Sequence, residues 1–296
     1  MFLHTENVLK FAFSNETTDD SYDTSEFSKF GILGVPFDGT ASYMAGARFG
    51  PRTVREASYN FEAYNFKLKK TIPREVLDLG DLEVVHGNFK KTCAKLRSTM
   101  DDILNQNIIP ITIGGDHSIS YGIIQAFTEA LGPKKLTVIH FDAHMDLRAE
   151  YEGEKYSHAT VMRRIMDLNP QKIIQIGVRS ASEEEADFSD ECLTSFSSYQ
   201  VSEDMENVVE CLKNISGPIY ISFDIDVLDP AYAPSTGTPS PCGLNPMQVE
   251  KLIFSLESKE LVGMDIVEVA SQGIGDSTAM NAAKIILDFL CMHQPK

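Results

Sequence analysis

The sequence predicts an α/β fold in which a parallel sheet carries helices on both faces. From residue 30 onward, short apolar runs alternate with longer stretches of helical period. That is how parallel strands buried on both faces read when crossover helices separate them. The 296 residues, 43% of them hydrophobic, suffice for one large α/β domain, and no Pro/Gly/Ser linker, internal repeat or low-complexity block divides them.

Residues 1–28 open with a weakly apolar run and continue through Ser14, Asn15 and Glu16 to Asp20, polar, acidic and without clear period. This is the pattern of an arm or a loosely packed extension. A single domain is expected over residues 29–296. Its strands are expected near 31–36, 75–79, 108–113, 136–141, 172–177, 196–201, 217–223 and 261–267. Helices are expected near 51–64, 88–105, 118–131, 158–168, 203–214, 245–256 and 278–291. The longest stretch without element signals runs from Asp224 to Asn245 and holds Pro230, Pro234, Pro239 and Pro241. Loops of that length in compact α/β proteins are usually functional.

A formal net charge of −17 argues against a nucleic-acid partner, which needs basic patches, and suits metal ions or a small cationic substrate. No run of eighteen apolar residues appears, and Met1 to Glu6 lacks the basic and apolar regions of a signal peptide, so no membrane partner and a cytoplasmic location are expected. Cys93, Cys192, Cys211, Cys242 and Cys291 are scattered and contain no CxxC pair, so they read as reduced thiols.

Three strand ends are rich in metal-ligand types. Ile108–Ile113 leads into Gly114-Gly115-Asp116-His117, where the glycines permit a tight turn and His117 opens a helix. Val138–Phe141 leads into Asp142-Ala143-His144-Met145-Asp146, and an extended backbone would throw its three polar side chains to one side. Ile219–Phe223 leads into Asp224-Ile225-Asp226. Four carboxylates and two histidines at one sheet edge would repel strongly if bare, so cations are expected there. Carboxylates in the majority favour Mn²⁺ or a similarly hard ion over zinc, and six ligands suit a pair of ions. At a fourth strand end, Glu268 could anchor a cationic substrate; His158, at a helix start after a Glu-rich loop, could move protons. His140, inside the apolar strand, reads as a packed residue.

These motifs, in this order and at these distances, resemble the ureohydrolases, the family of arginase and agmatinase. The resemblance covers almost the whole chain from about Phe30 and is carried by Gly-Gly-Asp-His at 114–117, Asp-Ala-His-Met-Asp at 142–146 and Ser-Phe-Asp-Ile-Asp-Val-Leu-Asp-Pro at 222–230. It is greatest to the agmatinases, through Gly34-Val35-Pro36-Phe37-Asp38-Gly39-Thr40, Gly46 to Pro51, and Glu152 to His158.

The resemblance implies a three-layer α/β/α sandwich with a central sheet of eight parallel strands, the third, eighth, seventh and fourth side by side at its centre. It implies two Mn²⁺ per subunit, His117 and Asp146 on one, His144 and Asp226 on the other, Asp142 and Asp224 bridging. It further implies hydrolysis of a guanidinium group to urea and an amine. In that reaction Asp146 would orient the nucleophile, Glu268 bind the guanidinium, His158 relay a proton and Thr238 line the pocket. A homo-oligomer, trimer or hexamer, is the family habit.

The loop Leu147 to Glu152 lacks the Asn and Ser/Thr residues with which arginases hold an amino acid's carboxylate, and Gly177 to Ser182 lacks the Asp for its α-amino group. Agmatine, giving putrescine, is therefore the expected substrate; aminopropylagmatine and guanidinobutyrate are alternatives, and arginine a poorer one. A zinc deacetylase of related fold is the rival from another class. Arg148 and Arg179 would repel a cation unless paired with a neighbouring Glu. Two departures from the family pattern are Cys242, where glycine is common, and Val269-Ala270-Ser271-Gln272 after Glu268.

Overall fold

The computed structural model describes residues 4–6, 9–15, 29–73 and 75–292. Its strands are β1 (Thr5–Glu6), β2 (Lys29–Gly34), β3 (Tyr64–Asn65), β4 (Lys70–Thr71), β5 (Val76–Leu82), β6 (Ile108–Ile113), β7 (Thr137–Phe141), β8 (Lys172–Val178), β9 (Leu193–Ser197), β10 (Ile219–Asp224) and β11 (Leu261–Val267). Its α-helices are α1 (Gly50–Ser58), α2 (Phe89–Asn105), α3 (Ser120–Leu131), α4 (Val161–Met166), α5 (Glu183–Ala186), α6 (Ser198–Glu203), α7 (Met205–Lys213), α8 (Pro246–Phe254) and α9 (Ser277–Met292). One sheet has the order β1-β5-β2-β6-β11-β10-β7-β8-β9, and β3 pairs with β4 apart from it. Only β1 is antiparallel, so the sheet contains the eight parallel strands expected.

Side-chain alternation along the strands builds the layers. Ile139 and Phe141 of β7 pack with Val54 of α1, Val201 of α6, Val208 of α7, Leu252 of α8 and Ile286 of α9. Val138, pointing the other way, packs with Leu96 of α2, Ile123 of α3 and Ile165 of α4. Each such fully buried aliphatic or aromatic side chain contributes about 1.5–3 kcal/mol, which fixes the strand register under the site. The chain passes from β6 to β7 across two positions later filled by β10 and β11. Carboxyl ends from distant parts of the sequence therefore meet at the centre, where open parallel sheets bind their ligands.

Four expectations are corrected. The strand expected at 196–201 lies at Leu193–Ser197, because Ser197 caps α6: its hydroxyl accepts from Gln200 N, and the Gln200 side chain accepts from Ser197 N at 2.8 Å. The helix expected at 51–64 ends at Ser58, and the one at 158–168 begins as a 3-10 turn, His158–Thr160, before α4. Part of the presumed loose arm is fixed. Phe11 is 1% exposed, its N–H donates to Asp78 at 2.6 Å, and Ala12 N donates to Ser58 Oγ at 2.8 Å. Residues 16–28 of the arm lie outside the described residues. Asp78 also receives the fully buried Arg55, whose guanidinium reaches Asp78 at 2.8 Å and Asp81 at 2.6 Å. Among the described residues no helix is long and apolar enough to cross a membrane.

Candidate metal centre

Four central strands end in the predicted residues, and the local turns explain how the side chains converge. Each strand-ending aspartate bends the chain by accepting the N–H two residues on: Asp142 from His144 at 2.6 Å, Asp224 from Asp226 at 2.8 Å, and Asp116 from Ser118 at 3.2 Å. The period-two expectation for Asp142, His144 and Asp146 is thus only partly right. β7 stops at Phe141, and Asp146 turns inward through a left-handed backbone with φ 55°. Asp226 similarly lies in a 3-10 turn, Ile225–Val227, rather than on extended chain. Glu268, just past β11, is also left-handed with φ 62°. Non-glycine residues in that region cost of order 1–3 kcal/mol and cluster at functional sites.

His117 Nδ1 lies 3.1 Å from Asp142 Oδ2, 3.1 Å from Asp224 Oδ2 and 3.4 Å from Asp146 Oδ2. His144 Nδ1 lies 3.3 Å from the other Asp142 oxygen and 3.1 Å from Asp226 Oδ2. Two groups, His117, His140, Asp142 and Asp146, and Asp142, His144 and Asp226, each bring their ligand atoms within 4.8 Å of one another. They share Asp142, one oxygen to each imidazole. Around a hard ion with oxygen or nitrogen ligands at about 2.1 Å, neighbouring octahedral ligands stand roughly 3 Å apart, so these residues fit metal ions.

The outer hydrogen bonds select which nitrogen faces the cluster. Ser222 Oγ donates to Asp265 at 3.0 Å, so it meets His117 Nε2, also 3.0 Å away, as an acceptor. Nε2 then carries a hydrogen, and Nδ1 is the nitrogen that would offer its lone pair to a bound ion. Gln175 Nε2 donates to His140 Nδ1 at 3.0 Å, which turns the His140 Nε2–H onto Asp142 at 2.8 Å. His140 thereby steadies Asp142 while itself standing in the first of the two ligand groups.

Burial disfavours charge throughout the cluster, and the neighbours decide each outcome. Against burial, the carboxylates of Asp142 and Asp224 hold His117 well above the ordinary imidazole range. Burial is likewise outweighed at His144, which Asp226 and Asp142 push up to about 12. Burial and the Asp142 charge push Asp146 well up; burial and Asp226 do the same to Asp224. Asp142 goes the other way: against burial, His140, His117 and His144 hold its carboxyl well below the ordinary range.

Glu268 is 6% exposed. One oxygen accepts the His117 N–H at 2.8 Å, and the other faces Gly237, where an added Cβ would come within 2.8 Å of it. Burial, then the Asp116 charge, push Glu268 up to about 8. His158 sits with Thr40 near Nδ1 and Ser42 near Nε2, at 3.4 and 3.3 Å. Thr238 Oγ1 reaches Asp226 at 3.5 Å. Arg148 pairs with Glu185 at 3.3 Å; Arg179 is held by backbone carbonyls, among them Asp226 at 2.6 Å and Ser240 at 2.7 Å, which fix its position but leave its charge in place. Cys242 has φ 66°, the conformation that favours glycine at its position.

Asp116, Thr40, Ser222, Asp265 and Gln175 complete the site without having been singled out. The available signals were polar residues inside apolar strands, Ser222, Asp265 and Gln175, and the unassigned Asp of Gly-Gly-Asp-His.

Fold and cluster define a class: an α/β/α sandwich with a His/Asp centre able to hold metal ions at the carboxyl end of its sheet. Comparison with known proteins narrows it. The Arginase family matches residues 28–292. The chain is 40% identical to the N(1)-aminopropylagmatine ureohydrolase of Thermococcus kodakarensis, covering 96% of this chain and 95% of that protein. It is 34% identical to the agmatinase of Bacillus cereus, covering 94% and 97%. The solved structure of agmatine ureohydrolase from Thermoplasma volcanium superposes with a TM-score of 0.84 at 34% identity, covering 97% of this chain and 95% of that one. The chain belongs to the arginase family and is a hydrolase acting on C–N bonds of linear amidines. That membership favours the ureohydrolase reading over a zinc deacetylase.

Proposed function

We propose that the chain hydrolyses agmatine to putrescine and urea with two Mn²⁺ ions held by His117, Asp142, His144, Asp146, Asp224 and Asp226. The observation that carries this reading is the Asp142 carboxylate, whose two oxygens face two imidazoles from different strand ends. Two such ions, when bound, supply Lewis acidity and lower the pKa of a shared water towards about 7.

The rest is done by the chain itself. Glu268 holds the guanidinium by accepting its N–H groups in charge-assisted hydrogen bonds at the oxygen that His117 N leaves free. The hydrogen bond from His117 N to its other oxygen orients that carboxylate before substrate arrives. Asp146 accepts a hydrogen from the attacking water and aims its oxygen at the guanidinium carbon. The C–N bond to the alkyl chain then breaks, and both hydrogens of the water end on the departing amine. His158 delivers one of them. Thr238, tied to Asp226, lines the guanidinium pocket.

A second reading, the longer aminopropylagmatine, is supported by the 40% identical relative of that name. Urea release by Mn²⁺-loaded protein from agmatine, aminopropylagmatine, guanidinobutyrate and arginine tests both. Agmatine is expected to give the largest kcat/KM. Urea from another compound but none from agmatine would overturn the substrate assignment.

A further inference from the structure

The turn from Asp38 to Ser42 lies against both ring nitrogens of His158, and the reaction just described gives it no task. Thr40 Oγ1 stands 2.9 Å from Asp116 Oδ2, 3.0 Å from the backbone nitrogen of His158 and 3.4 Å from its Nδ1. Thr40 N donates to the same carboxylate oxygen at 2.8 Å. The other Asp116 oxygen takes the N–H of Ser118 at 3.2 Å and the Ser118 hydroxyl. Four polar groups thus converge on a fully buried side chain, two at each oxygen, and the backbone N–H of Thr40 and that of Ser118 are fixed donors, one to each oxygen.

A hydroxyl owns one hydrogen and two lone pairs. Thr40 commits its hydrogen to Asp116 and one lone pair to the His158 N–H, so it can offer His158 Nδ1 only the second lone pair. Nδ1 must bring the hydrogen to that contact. On the opposite side of the ring, Ser42 Oγ is 3.3 Å from Nε2 and can donate to an unprotonated nitrogen. The ring of Tyr151 stands nearly perpendicular to that of His158, at 75°, with their centroids 5.5 Å apart.

We infer that Asp116 and Thr40 are positioning residues that fix neutral His158 as its Nδ1–H tautomer, making Nε2 the atom that takes up and gives away the exchanged proton. This rests on the proton-donor role proposed for His158. It gives the Asp38-Gly39-Thr40 segment a function in a reaction whose metal centre it does not build.

The test is ¹⁵N NMR of the imidazole nitrogens, recorded with Mg²⁺ in place of paramagnetic Mn²⁺ and assigned with His158→Asn. Wild type is expected to show a protonated Nδ1 and an unprotonated Nε2. Thr40→Val keeps the shape but removes the acceptor. It is expected to shift the tautomer ratio towards Nε2–H and to lower kcat about tenfold with little change in KM, within the roughly 100-fold or more that a general acid contributes. Thr40→Ser restores both. A wild-type His158 protonated at Nε2, or Thr40→Val with unchanged tautomer ratio and kcat, overturns the inference. Should Thr40→Val not fold, the wild-type spectrum alone decides. Full turnover by His158→Asn would instead overturn the proton-donor role and leave the tautomer result standing.

Discussion

Replacing Ser222 by alanine removes a hydroxyl that touches no substrate and no proposed metal ligand atom other than through His117. Ser222 Oγ lies 3.0 Å from His117 Nε2, 3.0 Å from Asp265 Oδ1 and 3.4 Å from Ser120 Oγ, all of them buried. Its loss leaves the His117 N–H without its acceptor in a dry environment, at about 1–3 kcal/mol for an unsatisfied buried group. Asp265 keeps the Tyr220 hydroxyl at 3.0 Å, so the strand should hold. Much of the cost therefore falls on the orientation of His117, and losing such an outer partner typically lowers metal affinity 10- to 100-fold. At about 1.4 kcal/mol per factor of ten, that is roughly 1.4–2.8 kcal/mol, within the hydrogen-bond range. The assay is Mn²⁺ titration against a chelating indicator, with circular dichroism as a control for folding. A Ser222→Ala protein that folds and binds Mn²⁺ with wild-type affinity would refute the reasoning.

Three further outcomes are expected. Gly115→Ala places a Cβ 1.7 Å from the carbonyl oxygen of Phe37, which is backbone, so the Phe37 to Thr40 turn must move and urea release should fall at least about tenfold; unchanged kinetics would contradict the contact. Metal binding should release protons and strengthen with pH, because His117 and His144, raised above the ordinary imidazole value and the latter to about 12, carry hydrogens through neutral pH that an ion must displace. Titration calorimetry in buffers of different ionisation enthalpy checks this, and zero proton release would contradict it. Arg55→Ala leaves Asp78 buried without its cation and should cost about 3–5 kcal/mol in urea unfolding, whereas a loss below about 1 kcal/mol would show that the pair is not integral to the core.

The sheet was legible because its strands are buried on both faces: Ile108–Ile113 and Ile219–Phe223 are apolar runs that only a core strand explains. The edge strand β9 was displaced, since a half-buried run such as Leu193–Ser197 carries a weaker signal and its end depends on the Ser197–Gln200 cap. The ligand types at the strand ends were legible, but their geometry was not fully so. Asp146 reaches the cluster through a left-handed backbone, which no period-two pattern encodes. The supporting hydrogen bonds were the least legible, because Thr40 meets His158 across 118 positions of sequence and Ser222 meets His117 across 105. Arg148 finds the neighbouring Glu that would neutralise it, Glu185, 37 positions away in sequence, whereas Arg179 meets the carbonyls of the Asp226 to Pro241 loop and keeps its charge.

We propose that this sheet end acts as a two-metal guanidino hydrolase. The most direct test is to measure urea and putrescine formed from agmatine by protein of known Mn²⁺ content. Urea and putrescine in equal amounts, from protein holding two Mn²⁺ per chain and lost together in Asp142→Asn, is the predicted result. Full metal occupancy with no urea from agmatine or any other guanidino compound would contradict the account.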